Sequence, residues 1–395
     1  MAARSSCAWL SLLLLPLSAA GVPPTADISC RNEAGEPVDW FILYKLPKYK
    51  IKENDRTGLE YMYLDSQTPA WQMSMRLVNM TQSVLGITLK QIYQTYKTKD
   101  NSTAYLMYND GRPNSRNYST KLGHTKGCLL FDKSQGFWLI HSIPRFPPFA
   151  EKGYGYPSSG KRNGQTAICV TYKNNQFPEI EEEESLQHAQ WHHQKIMARK
   201  ELWTNKTRQL LIYNPDVYNC SIPEVFHQEL SNLQKICLGA HQSWTPRKRL
   251  AKLQSAQGEP FLHFAKSHYY IDDIYTAWMA ESLETHLLAE SWQPTRRALP
   301  SNCSLPYHVY NIKTVRLPDL SSFYSHYDHA KWAVSWRHED QWTCVGDLNR
   351  EESQIWRSGG FICSQNQYIY KAFRNLVAYY NNCATTNQLG NNLTI

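Results

Sequence analysis

GHTKGCLLF (Gly123–Phe131) and DHAKWAVSW (Asp328–Trp336) decide how this 395-residue chain is read. Each opens on His-x-Lys and runs into an apolar, strand-like stretch. On an extended strand residues i and i+2 face one side, so each copy presents an imidazole and an ammonium together. One pair is His124 and Lys126, the other His329 and Lys331, one in each half of the chain. A lone His-x-Lys is common by chance, and two unrelated surface pairs are the plain alternative. Recurrence, with an apolar run behind each copy, sets these apart. Facing each other, two such pairs suit phosphodiester cleavage. A neutral imidazole attacks phosphorus, a protonated one serves the leaving oxygen and then water, and two ammoniums neutralise the non-bridging oxygens. That chemistry needs neither a metal nor a cofactor.

The length exceeds the usual single domain and fits two domains or one duplicated domain. Arg4, the apolar run 8–17 and Ser18-Ala19-Ala20 form a secretory signal peptide over 1–20; the run is too short to span a bilayer. No later stretch is apolar enough for a membrane span. Cys7 leaves with the leader, and nine cysteines remain, an odd number spaced too widely for a zinc site. Disulfides in an oxidising compartment are the better reading. Sequons at Asn79, Asn101, Asn117, Asn205, Asn219, Asn302 and Asn392 mark a surface glycoprotein. The formal charge of +8 favours a polyanion. Many basic secreted proteins bind no nucleic acid, so charge alone does not choose one.

Strands are expected at 38–46, 103–108, 128–131, 136–140, 166–172, 313–317 and 333–336. Helices are expected at 75–96, 223–238 and 261–281, and 374–380 closes the fold as either element. Residues 178–208 are charged from end to end; His188 and His192 stand four apart, yet no HExxH accompanies them and a solvated face explains them.

Beyond the two motifs, the stretches PVDWFILYKLP (37–47), YNDG (108–111), GFWLIHSIPRFPP (136–148), LHFAKS (262–267), PSNCS (300–304) and WTCVGDLNR (342–350) carry a resemblance. Together with GHTKG and DHAKW they resemble the deoxyribonuclease II family over nearly all of the mature chain. The branch that looks most similar is the one associated with the eye lens. The resemblance implies an α+β fold of the phospholipase D-like kind, an αβ sandwich of two similar halves in pseudo-twofold arrangement around one active-site cleft. The halves would be 21–178 and 209–395, joined by a charged insertion or linker at 179–208. It implies an acid endonuclease that cuts DNA without divalent metal, leaves 3′-phosphate ends and works in lysosomes, as on lens fibre DNA, or after secretion. It would be a monomer with an internal pseudo-dimer. By position, His124, Lys126, His329 and Lys331 would be catalytic. Asn349, in Gly346-Asp347-Leu348-Asn349, would contact phosphate or support residues that do, and His141 and Ser142 would do the same behind the first motif. Analogy with phospholipase D-like enzymes favours His124 as nucleophile. The resemblance also implies disulfides Cys30–Cys169, Cys303–Cys383 and Cys344–Cys363, with Cys220 and Cys237 a candidate fourth pair and Cys128 left free. Departures are Phe131 and Trp336 where phospholipase D-like motifs carry Asp, Ala333 where a Cys is expected, and the 179–208 segment. A lipid phosphodiesterase of the same chemistry and a non-catalytic DNA-binding glycoprotein are the rival functions.

Overall fold

The structure is a computed structural model that describes residues 27–48, 50–51, 54–115, 117–118, 120–173, 209–228, 230–239, 246–293 and 297–383. The leader at 1–20, the 179–208 segment, Asn205 and Asn392 lie outside the described residues. Two large sheets dominate. The first contains β1 (Trp40–Lys45), β2 (Tyr61–Asp65), β3 (Gln72–Met73), β4 (Ala104–Asn109), β5 (Lys126–Phe131), β6 (Gln135–His141), β7 (Gln165–Lys173) and β8 (Val217–Ser221), in the spatial order β8-β4-β5-β6-β7-β1-β2-β3. The second contains β9 (Lys248–Gln254), β10 (Pro260–Lys266), β11 (Leu287–Glu290), β12 (Val309–Arg316), β13 (Ser322–Tyr324), β14 (Trp332–Ser335), β15 (Thr343–Gly346), β16 (Gly359–Ser364) and β17 (Val377–Asn381). Its order is β9-β10-β16-β15-β14-β11-β12-β13, with β17 on the side of β12. Pairing is antiparallel throughout both sheets except between β11 and β12.

The period-two alternation of the strands sorts side chains between layers. Ile42 and Tyr44 of β1, Leu129 and Phe131 of β5, and Trp332 and Val334 of β14 share one core between the sheets. Phe41, Leu43, Cys128 and Leu130 face outward and are covered by α1 (Val84–Thr98) through Val84, Leu85, Leu89 and Ile92. Ala333, Cys344 and Phe361 face outward from the second sheet and are covered by Tyr275, Trp278 and Met279. Each motif strand is therefore packed on both faces, which explains why both runs behind His-x-Lys are apolar without interruption.

Several elements differ from their sequence-based bounds. The expected helix at 75–96 starts at Val84, where the Ser83 hydroxyl caps the Gly86 N–H at 3.1 Å. The 261–281 segment is not one helix. Its first part is β10, paired on both sides by β9 and β16, so it is apolar on both faces and loses the alternation that marks a half-buried strand. Helical structure begins again at Tyr275. The 223–238 segment splits into a turn of helix at Glu224–Phe226 and a helix at Ser231–Cys237. β8 lies beyond the expected division at 209 yet pairs with β4 of the first sheet, so the chain changes sheets between Ser221 and Lys248. Disulfides join Cys30–Cys169, Cys220–Cys237, Cys303–Cys383 and Cys344–Cys363, and Cys128 is unpaired and buried.

Candidate active site

Each His-x-Lys stretch is braced by the sheet to which it does not belong. The His124 N–H donates to the Ser358 carbonyl at 2.9 Å, ahead of β16. The His329 N–H donates to the Gly164 carbonyl at 2.9 Å, ahead of β7, and the Gly164 N–H donates to the Tyr327 carbonyl at 2.8 Å. Glycine is required here because a Cβ at Gly164 would collide with the Asp328 carboxylate. These crossed bonds bring both motifs to one seam. The charges of Lys126 and Lys331 both act on His124, and those of Lys331 and Lys126 on His329, which also feels His124.

The two imidazoles are held differently. His124 Nδ1 lies 2.6 Å from the carbonyl oxygen of Asp347. A carbonyl oxygen only accepts, so Nδ1 carries the proton and the Nε2 lone pair is left for chemistry. The His329 ring packs against the indole of Trp292 with centroids 4.0 Å apart. Its Nε2 is buried and has no hydrogen-bond partner among the described residues. Burial, then the neighbouring ammoniums, push both imidazoles well below their ordinary value of about 6.5.

The lysines differ as well. Lys126 Nζ is 2.6 Å from Asp110 Oδ1. Asp110 Oδ2 lies 3.8 Å from His124 Nε2 and 3.5 Å from Arg357 Nη2. Burial opposes ionisation of Asp110, but Lys126, His124 and Arg357 overcome it and hold the carboxyl well below the usual carboxylate range. Lys331 Nζ donates to the His329 carbonyl. Burial and the Lys126 charge lower Lys331 to about 7. Asp328, the residue before His329, does not pair with Lys331. Its oxygens accept from the Tyr44 hydroxyl and, at 2.9 Å, from the Ala330 N–H. Burial raises its pKa, as it raises that of buried Glu290 nearby, each carboxyl disfavouring charge on the other. Asp347 is raised by burial to about 7, offset in part by the Gly360 N–H at 2.9 Å from Oδ1.

Asn349 Oδ1 accepts from the Trp292 backbone N–H at 3.3 Å, so Asn349 braces the segment whose indole packs against His329. His141 is buried, accepts the Ile143 N–H on Nδ1 at 3.2 Å, and is lowered to about 3 by burial and then by Lys126. Ser142 spends its hydroxyl on Gln165 Oε1 at 2.6 Å and the Thr166 N–H at 3.0 Å; it splices β6 to β7. Asp110, Arg357, Trp292 and Asp347 are the neighbours that residue-by-residue reading did not single out. Asp110 had a signal, since YNDG reads as a turn and stands among the resembling stretches. Of the sequons, Asn79, Asn101 and Asn117 are exposed, while Asn219 and Asn302 are half-buried, Asn219 with its carboxamide oxygen enclosed on β8. Among the described residues no group of three His, Cys, Asp or Glu is placed to hold a metal ion, and no helix is long and apolar enough to cross a membrane.

A family profile described as Deoxyribonuclease II matches residues 29–383. The chain is 54% identical to Deoxyribonuclease-2-beta of Homo sapiens over 374 residues, 94% of this chain and 96% of that one. It is 35% identical to Plancitoxin-1 of Acanthaster planci, covering 94% and 97% of the two chains. To Deoxyribonuclease-2-alpha of Sus scrofa it is 35% identical, covering 92% and 93%.

Proposed function

We propose, for a chain that belongs to the deoxyribonuclease II family, a two-histidine hydrolysis of DNA at the seam between its sheets. Membership makes it a DNA nuclease. The reaction runs in two steps. His124 Nε2 attacks the phosphorus, the P–O5′ bond breaks, and protonated His329 gives its proton to the departing O5′. This leaves a phosphohistidine on the 3′ side. His329 then takes a proton from water, which displaces His124 and releases a 3′-phosphate. Lys126 and Lys331 neutralise the non-bridging oxygens in both steps, the work otherwise done by a divalent cation. The observation that supports His124 as nucleophile is its Nδ1 contact with the Asp347 carbonyl; a fixed tautomer presents a lone pair, not a proton.

The electrostatics support acid operation. His329 must be protonated although burial and two ammoniums oppose it, and an incoming phosphate supplies the negative charge that favours the proton. Lys331 keeps its charge below about 7. Both trends weaken catalysis as pH rises through neutrality.

The wider reading is a phospholipase D-like molecule of two related halves, each giving one motif to a single cleft, acting as a monomeric lysosomal or secreted glycoprotein. Four disulfides support an oxidising compartment. Plasmid nicking in EDTA at pH 5, beside phosphatidylcholine hydrolysis, tests the reading. Nicking with 3′-phosphate ends and no lipid turnover is expected; a requirement for added metal, or lipid turnover, would contradict it. A His124→Ala protein that nicked at the wild-type rate would remove the first motif from the mechanism.

A further inference from the structure

The first half-site holds an anion of its own. The Asp110 carboxylate lies 2.6 Å from Lys126 Nζ, 3.5 Å from Arg357 Nη2 and 3.8 Å from His124 Nε2. These are the three groups that a phosphate bound for attack by His124 must meet. Asp110 is buried, so this anion cannot swing out into water, and it follows the end of β4, which fixes its place. Arg357 reaches it from the second sheet's side, with its Nε donating to the Leu122 carbonyl at 3.0 Å. The nearby Arg112 is engaged elsewhere, with Asp216 at 2.5 Å.

We propose that Asp110 is a positioning residue that stands in for the scissile phosphate, and that it takes up a proton from solvent when DNA enters. This rests on the site reading above. Lys126 and Arg357 lie against Asp110 and keep it charged. A phosphodiester monoanion placed on the same partners draws those cations away and adds a like charge beside the carboxylate. Both changes favour the protonated acid. The other charged groups facing Asp110 are Lys331 and Asp347. Asp347, raised to about 7 by burial, is uncharged at acid pH and leaves Asp110 as the carboxylate in conflict with the phosphate. The proton comes from bulk water, no bond to Asp110 forms, and Lys126 and Arg357 pass from one anion to the other. DNA binding is thereby coupled to acidity through a group that is neither histidine.

The test is the pH dependence of KM for plasmid DNA, from pH 4 to 8, in wild type and Asp110→Asn, with kcat recorded separately. Over the range where wild-type KM climbs with pH, the slope of log KM against pH should fall by about one in Asp110→Asn, the signature of one proton no longer taken up. A merely structural role predicts lower kcat at every pH with parallel log KM curves, and that result would overturn the proposal. Should Asp110→Asn fail to fold, judged by its melting temperature, Asp110→Ser carries the same slope prediction. His124→Ala is assayed alongside. If it still cuts, the site reading itself is wrong; if it is inactive while the Asp110→Asn curves stay parallel, only the role of Asp110 is lost.

Discussion

The two half-sites share a tripeptide and almost nothing else. In the first, the imidazole is fixed through Nδ1 by the Asp347 carbonyl, the ammonium by the Asp110 carboxylate, and a guanidinium is added by Arg357. In the second, the imidazole leans on an indole, the ammonium bonds the neighbouring His329 carbonyl, and the adjacent carboxylate of Asp328 faces the Tyr44 hydroxyl instead. One histidine is therefore held as a single tautomer, and the other, whose Nε2 has no hydrogen-bond partner among the described residues, leans on packing against Trp292. A nucleophile needs a fixed lone pair, while a group that gives a proton and then takes one needs freedom to hold it or lose it. Repetition in sequence thus supplies two copies of the same side chains in unlike surroundings, and in the proposed mechanism those surroundings divide the labour.

The largest expected effect breaks both halves. His124→Ala and His329→Ala should each lose about 10³-fold or more in kcat, and the double variant should fall little further because the pair acts as a unit. The halves should then separate on a thymidine 3′-(4-nitrophenyl phosphate) substrate, whose leaving group needs no proton. It should restore a rapid burst of nitrophenolate, without fast turnover after it, to His329→Ala and no burst to His124→Ala; equal behaviour of the two would erase the distinction drawn here. Next come the lysines. Lys126→Ala and Lys331→Ala should cost about 10²–10³-fold in kcat. Lys331→Arg should carry activity further into alkaline pH than wild type, because Lys331 loses its proton near about 7 and arginine does not. Lys126→Arg should not extend that limb.

A smaller effect tests the indole. Trp292→Ala should lower kcat about tenfold through loss of the ring contact with His329, with Trp292→Phe restoring part of it. Asn349→Ala removes the acceptor of the Trp292 backbone N–H and so loosens the segment that carries the indole, and the double variant should be less than additive in a cycle. The smallest effect is on stability. Asp347 is raised from about 3.9 unfolded to about 7 folded, so the stability it contributes is present at low pH and lost as pH rises between those values. Calorimetry at pH 5 and 7 should show Asp347→Asn losing less stability over that interval than wild type.

Much of this was legible in the chain. The motif strands showed themselves as apolar runs behind His-x-Lys, and the partner strand of the first, expected at 136–140, runs over 135–141; the start of the 84–98 helix did not show, because its cap at Ser83 lies inside a run that keeps helical spacing from 75. Other elements were hidden by burial: β10 is apolar on both faces and reads as a helix until its two neighbours are known. The four His and Lys residues were singled out because their types suit the chemistry, and the fold brings both motifs to one seam. Asp110, Arg357 and Trp292 could not, since each acts through a partner more than 10 positions away in sequence or across the seam, and a carboxylate in YNDG looks like any turn residue.

The unequal division of roles is tested most directly by trapping the covalent intermediate. A denaturing quench at neutral pH during turnover of 5′-end-labelled DNA, followed by peptide mapping, should place the phosphoryl group on His124 and on no other residue, and His329→Ala should accumulate the corresponding adduct from the nitrophenyl substrate. Label on His329, or no phosphohistidine at all under conditions of active cutting, would contradict it.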